Sequence, residues 1–223
     1  MIVCLVTDRR RLGAAVGAPP AEYLDVLFEQ ITAAAGAEVD YVQIREPDLE
    51  ARPLTAFVRS VAAKLRGSAT RILVNDRLDV ALAAGADGVH LKESSVAPEL
   101  ARSLAPKHFV VACAVHTALT AAARRSADFI VAGTVLPTVS KVRADYLEWK
   151  GLAEVIGAAN GTPVVGIGGL DLASIPLLAR TGAAGVAGIG AFIPASGELG
   201  IEEFVKKRVM DMRFAFDSAQ SRP

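Results

Sequence analysis

The 223-residue sequence has one tryptophan, two cysteines and no excess of either charge, Lys+Arg and Asp+Glu both totalling 24. The charge balance and the low cysteine count each remove a class of function. A net charge of zero gives no long-range attraction to nucleic acid or to an anionic membrane, although a small anion can still be held by local groups. Cys4 and Cys113 lie inside apolar runs and read as buried thiols, making neither a disulfide framework nor a metal knuckle. No apolar run approaches the ~18 residues a membrane span needs. The charges Asp8, Arg9, Arg10 and Arg11 follow the first apolar stretch rather than precede it, unlike a secretory signal, so a cytoplasmic location is expected. No G-x-G-x-x-G follows that stretch, which weakens a dinucleotide-binding reading.

Hydrophobic residues make up 52% of the chain and charged residues 22%, enough apolar matter for a large core and too little charge for disorder. Short apolar runs at 2–6, 41–44, 72–74, 88–91, 109–113, 129–132, 164–167 and 185–189 predict strands. The runs are continuous rather than alternating, as in a parallel sheet buried on both faces. Helical stretches at 22–35, 54–65, 78–84, 98–104, 118–126, 152–159, 172–180 and 202–214 fall between and after them. Three helices end in an Ala/Thr-Gly-Ala phrase, at Gly36, Gly85 and Gly182, where glycine can take the left-handed conformation that stops a helix. Strand–helix alternation of this kind defines an α/β fold. The reading is a single (β/α)8 TIM-barrel domain over residues 1–223, preferred to an open doubly wound sheet.

In such a barrel the C-terminal strand ends face the active site. Here they carry Thr7-Asp8, Gln43 with Arg45-Glu46, Asn75-Asp76-Arg77, His90 with Lys92-Glu93, His116, Thr138 to Lys141, Gly168-Gly169 and Gly188-Ile189-Gly190. Any one of these could be a salt bridge or a helix cap; together they mark a site. Gly168-Gly169 would let backbone N–H groups approach an anion, with the helix from about Asp171 adding its positive end, and Gly188 and Gly190 would act likewise. Thr138, Ser140 and Lys141 put two hydroxyls and an ammonium on one loop, suited to phosphate oxygens. Gln43 and Arg45 share a side of their strand, and Arg45 could grip an anion bidentately. Asp76 reads as an oxygen ligand for Mg2+ or as a helix cap. His116 reads as a general acid/base or as a solvated loop residue.

The segments Val42-Gln43-Ile44-Arg45-Glu46, Val74-Asn75-Asp76-Arg77, Gly85-Ala86-Asp87-Gly88-Val89-His90-Leu91, Val115-His116-Thr117, Pro137-Thr138-Val139-Ser140-Lys141 and Gly166-Ile167-Gly168-Gly169 together resemble the thiamine phosphate synthase/TenI superfamily. The resemblance implies an enzyme of thiamine biosynthesis that couples hydroxymethylpyrimidine diphosphate to thiazole phosphate, releasing pyrophosphate. It implies small phosphorylated substrates, with no nucleic-acid or membrane partner. By resemblance Gln43 would touch the pyrimidine, and Arg45, Asn75 and Lys141 would bind pyrophosphate. Asp76 would bind Mg2+. Thr138, Ser140, Gly168 and Gly169 would hold the thiazole phosphate, with Gly188 and Gly190 beside it.

Several positions depart from that pattern. Pro47 stands where a pyrophosphate-binding lysine belongs, and Ser95 where a second Mg2+ aspartate belongs. Lys92 adds a positive charge nearby but is no metal ligand. Ala114 replaces a serine before His116, and the usual strand-eight serine is missing from Gly188-Ile189-Gly190. The TenI branch, a thiazole tautomerase, needs no metal or pyrophosphate but does need a proton shuttle, the position that His116 matches. Arg45 and Lys141 on the synthase reading, and His116 on the tautomerase reading, are the residues expected to carry the chemistry. A non-catalytic barrel binding thiazole or thiamine phosphate is the third reading. The amphipathic segment 199–216 suits a barrel cap or a homo-oligomer contact, and 145–149 suits a lid or packing.

Overall fold

The computed structural model describes residues 1–138, 145–195 and 200–221. Eight parallel strands close on themselves in sequence order: β1 (Ile2–Val6), β2 (Tyr41–Ile44), β3 (Arg71–Asn75), β4 (Gly88–Leu91), β5 (Val110–Val115), β6 (Phe129–Ala132), β7 (Val164–Ile167) and β8 (Gly185–Gly188). Closure is made by β8 against β1, with Ile2 opposite Gly185 and Leu5 opposite Gly188. The expected (β/α)8 barrel is therefore the fold.

The continuous apolar runs have a simple cause: alternate residues of each strand enter two different cores. Cys4, Val6, Leu73, Val110, Ala112, Phe129, Val131, Val165 and Ala187 fill the barrel interior. Tyr41 and Phe129, each at the start of its strand, stack at 4.7 Å between ring centroids and close the floor. Val3, Leu5, Val42, Ile44, Val74 and Val89 point outward against the helices. Each such aliphatic side chain is worth ~1.5–3 kcal/mol when fully buried, so the helical ring is held on by this outer core.

The helices are α1 (Arg9–Ala15), α2 (Tyr23–Gly36), α3 (Ala51–Lys64), α4 (Leu78–Ala84), α5 (Pro98–Leu104), α6 (Ala118–Ala122), α7 (Glu148–Ala159), α8 (Ile175–Arg180) and α9 (Ile201–Gln220). Hydrophobic periodicity gave no sign of α1. Asp8 caps it by accepting from Arg11 N at 3.0 Å. Gly85 and Gly182 take the left-handed conformation expected of them, with φ of +72° and +84°. Gly36 does not: it stays in α2, and Glu38 at φ +57° makes the reversal instead. The segment expected to cap the barrel or meet a partner is the last helix of the ring. Phe204, Val205, Val209, Met212 and Phe216 of α9 are buried against the helices and strands around them. Trp149 packs against the outer core, as does Leu147, and Leu147 and Glu148 donate backbone N–H groups to Thr134 and Val135.

Candidate active site

The mouth is built from the strand ends. At the end of β1, Thr7 is buried and its hydroxyl donates to Glu46 Oε1 at 2.7 Å while accepting from Arg45 N at 2.9 Å. Arg9, at the start of α1, donates to Glu46 Oε2 at 2.8 Å and to both oxygens of Asp48 at 2.6 Å. Burial pushes the Glu46 carboxyl up in pKa even though Thr7 and Arg9 donate to it, and the Arg9 guanidinium holds Asp48 well below the usual carboxylate range. The network ties the ends of β1 and β2 together and fixes where Arg45 leaves its strand. Arg45 itself is exposed, and no carboxylate is paired with it among the described residues.

Deeper in, three strands contribute one polar cluster. Gln43 Nε2 donates to Asn75 Oδ1 at 2.8 Å and to His90 Nδ1 at 3.1 Å. Adjacent strand register brings them together, since Asn75 of β3 lies opposite His90 of β4. With Nδ1 accepting, the imidazole is the neutral tautomer carrying its proton on Nε2. Burial holds the His90 pKa down at about 4, with Asp76 opposing the shift and Arg45 adding to it. Gln43 Oε1 and His90 Nε2 are buried without a hydrogen-bond partner among the described residues. Orphaned buried polar atoms are rare enough in folded proteins to call for an explanation.

Beside this cluster stands Asp76, in the left-handed region at φ +62°, with its N–H donating to His90 O at 2.8 Å. Lys92 Nζ lies 2.6 Å from Asp76 Oδ2, and Ser95 Oγ donates to Asp76 Oδ1. Burial alone would raise the Asp76 pKa, but Lys92 and Ser95 outweigh it and hold the carboxyl below its ordinary value. Asp76 is thus not a helix cap: the N-cap position before α4 is Arg77. As a Mg2+ site the donor set fits poorly. No group of three His, Cys, Asp or Glu side chains converges anywhere among the described residues. Both carboxylate oxygens already have partners, and one partner is a cation that would repel a metal ion a few ångströms away.

His116 follows β5, half exposed, with Nδ1 2.5 Å from Glu93 Oε2. The next residue, Thr117, caps α6, which fixes the backbone at this corner. Arg124 pins the facing loop by donating to the carbonyls of Glu93, Ser95 and Val96 at 2.7, 3.0 and 2.7 Å.

The glycine ends are sharper than expected. Gly168 and Gly169 have φ of +97° and +67°. A Cβ on Gly169 would lie 2.5 Å from the carbonyl oxygens of Leu136 and Pro137, so the turn after β7 needs glycine to pass beneath the segment after β6. The helix start there is not left open for an anion: the Asp171 carboxylate itself accepts from Ser174 N at 2.9 Å. After β8, a Cβ on Gly190 would stand 3.2 Å from Arg11 Nη2, and one on Gly188 would crowd Ala191 at 3.1 Å. Arg11 went unnoticed in the sequence because its helix did; the signal was Asp8 three residues ahead of it, an N-cap spacing. Thr138 is half buried at the end of the described segment after β6, and Ser140 and Lys141 lie outside the described residues. Two grooves elsewhere, one beside Leu24, Phe28 and Phe57 and the other beside Glu29, Ile201 and Lys206, sit on the outer helical ring.

Fold and mouth together define a (β/α)8 barrel with a polar, glycine-edged site at the C-terminal ends of its strands. The family model described as thiamine monophosphate synthase matches residues 14–192. A Geobacter sulfurreducens protein with a provisional thiamine-phosphate synthase name is 39% identical over 193 residues, 85% of each chain. The thiamine-phosphate synthase of Roseiflexus sp. (strain RS-1) is 33% identical, over 87% of this chain and 79% of its own. Among solved structures, thiamine phosphate pyrophosphorylase from Pyrococcus furiosus superposes with a TM-score of 0.77 at 26% identity, over 98% of this chain and 96% of its own. This chain belongs to the thiamine monophosphate synthase family.

Proposed function

We propose that the protein is a thiamine phosphate synthase of the cytoplasm, joining hydroxymethylpyrimidine diphosphate to thiazole phosphate. The observation that carries the reading is the Gln43–Asn75–His90 cluster with its two orphaned atoms. An acceptor on Gln43 and an N–H donor on His90 complement the amino group and ring nitrogen of an aminopyrimidine, and binding one would satisfy both. The low pKa keeps His90 neutral, so it would donate without placing a charge beside the ring.

In the reaction the bond from the pyrimidine methylene carbon to the diphosphate oxygen breaks, and its electron pair leaves with pyrophosphate. The thiazole nitrogen gives its lone pair to the same carbon. The products are thiamine phosphate and inorganic pyrophosphate, and no proton moves to or from carbon. Charge develops on the departing oxygen, where fixed cations are worth most. Arg45, with no carboxylate bound to it among the described residues, is suited to that oxygen together with Asn75 and Lys141. Thr138, Ser140 and the glycine ends, Gly168-Gly169 and Gly188 to Gly190, would hold the thiazole phosphate. Asp76 would carry Mg2+ in the family pattern; the donor set here argues against it, and no step is assigned to a metal.

A second reading is favoured by one observation. The 2.5 Å contact of His116 with Glu93 is a carboxylate orienting an imidazole, which a thiazole tautomerase would use to move a proton. Incubation with both precursors, and separately with the carboxylated thiazole phosphate, followed by product identification, decides between them. Thiamine phosphate with one equivalent of pyrophosphate is the expected outcome. Isomerised thiazole alone would establish the tautomerase, and phosphate binding without turnover would leave a binding barrel.

A further inference from the structure

We propose that Lys92 is a built-in cation: its ammonium occupies the place at Asp76 that a divalent metal ion would take, and it binds the substrate's pyrophosphate without one. The idea rests on the coupling reaction proposed above, and it explains why a second carboxylate is replaced by Ser95.

Four observations make this a constructed cluster rather than a loose surface ion pair. Both oxygens of Asp76 are used, Oδ2 by Lys92 at 2.6 Å and Oδ1 by the Ser95 hydroxyl. Ser95 is held in turn, because its Oγ accepts from Lys92 N at 3.0 Å and its own N–H donates to Lys92 O at 3.0 Å. Arg124 fixes the loop from outside through the carbonyls of Glu93, Ser95 and Val96. Asp76 is committed by its backbone, at φ +62° with its N–H bonded to His90 O at 2.8 Å. A non-glycine residue in that conformation persists only where its surroundings impose it.

The charge count follows. A site of two carboxylates needs a doubly charged ion to neutralise it before an anion can approach. With one carboxylate exchanged for a neutral hydroxyl, a singly charged ammonium neutralises what is left. An ammonium has three donors and no acceptor. Asp76 takes one donor, and the lysine side chain is 58% exposed, so the other two are available to phosphate oxygens at the mouth. A lysine binds phosphate as a point charge, as a metal ion does, whereas Ser95 and Asp76 then act only to position it.

The first test is titration of ligand-free protein with Mn2+, followed by the electron paramagnetic resonance signal of the free ion. Wild type should bind none, and the double variant Lys92→Ala/Ser95→Asp should bind one equivalent. Stoichiometric binding by wild type that is lost in Asp76→Ala overturns the proposal. The second is calorimetric titration with inorganic pyrophosphate in EDTA. Wild type should bind, Lys92→Met should bind about ten- to a hundredfold more weakly, and Lys92→Arg should keep most of the affinity. Pyrophosphate binding that requires Mg2+, or that ignores Lys92→Met, overturns it. The third arm runs the coupling assay with and without EDTA. Product only with Mg2+ sinks the built-in cation. No product under either condition removes the proposed function instead and leaves the Mn2+ and pyrophosphate results to decide Lys92 on their own.

Discussion

Thr7 and Glu46 share a buried hydrogen bond of 2.7 Å, and the same hydroxyl accepts the backbone N–H of Arg45 at 2.9 Å. One oxygen atom therefore joins the ends of two strands and sets the point from which the Arg45 guanidinium reaches out. Thr7→Val keeps the shape and removes both bonds. It should cost about 1–3 kcal/mol, read as a lower urea midpoint, because two buried groups lose a partner. In the coupling assay it should raise KM for the diphosphate substrate more than it lowers kcat, and Thr7→Ser should restore both. An unchanged KM would show that this bond does not position Arg45.

Buried His90 makes stability depend on pH. Its pKa in the fold is about 4, below the ordinary 6.5, so between those values the unfolded chain binds more protons. The stability contributed by neutral His90 is complete above pH 6.5 and drains away as pH falls toward 4. The loss should reach about 3 kcal/mol, because each tenfold difference in proton affinity between the folded and unfolded chain is worth about 1.4 kcal/mol. Urea midpoints at pH 4.5 and 7 should differ for wild type and differ less for His90→Gln. Equal pH dependence in the two proteins would contradict the burial argument.

Gly169 and Gly182 separate two reasons for glycine. Both have positive φ, but a Cβ on Gly169 would meet carbonyl oxygens at 2.5 Å, while one on Gly182 would meet nothing nearer than Ile156 Cγ2 at 4.0 Å. Gly182→Ala should cost only the backbone penalty of about 1–2 kcal/mol. Gly169→Ala should cost more and should also weaken inorganic phosphate binding, since it displaces the segment after β6. Thermal unfolding and phosphate titration of the two variants check this together.

Arg11 stands beside the turn after β8, where Gly190 has no side chain to shield it. Arg11→Gln should weaken thiazole phosphate binding about tenfold, the size of one charge-assisted hydrogen bond, and should flatten its salt dependence. Stability should hardly move, because no carboxylate pairs with Arg11 among the described residues. Unaltered affinity would remove Arg11 from the phosphate site.

The barrel was legible because burial of both strand faces writes continuous apolar runs into the chain. β3 and β5 run past those limits for a reason that hydropathy does not encode: Asn75 continues the ladder with His90, and Ala114 and Val115 continue it with Val131 and Ala132. α1 was invisible because it opens on three arginines and buries only Leu12 and Gly13, too few positions to show a helical period. At the site, Gln43, Asn75, Asp76, His90 and His116 were legible as polar residues at strand ends. Their pairings were not. Lys92 with Asp76, and Glu93 with His116, join different strands, and the pairing of β3 with β4 and of β4 with β5 brings them within 2.6 and 2.5 Å. Asp8 looks like a site carboxylate in sequence and turns out to cap α1.

The first and last strands meet along a seam that ends where Leu5 pairs with Gly188, and Arg11 and Gly190 lie beyond that end. The corner proposed to face the phosphate is thus the seam of the cylinder, assembled from its first and last strands. A nascent polypeptide that has not yet released β8 has an open edge on β1 and lacks the corner proposed to hold phosphate. Ligand occupancy and ring closure then become one linked equilibrium. Each tenfold excess of phosphate ligand over its Kd should tighten the seam by about 1.4 kcal/mol, making substrate a clasp on the folded protein as well as its cargo.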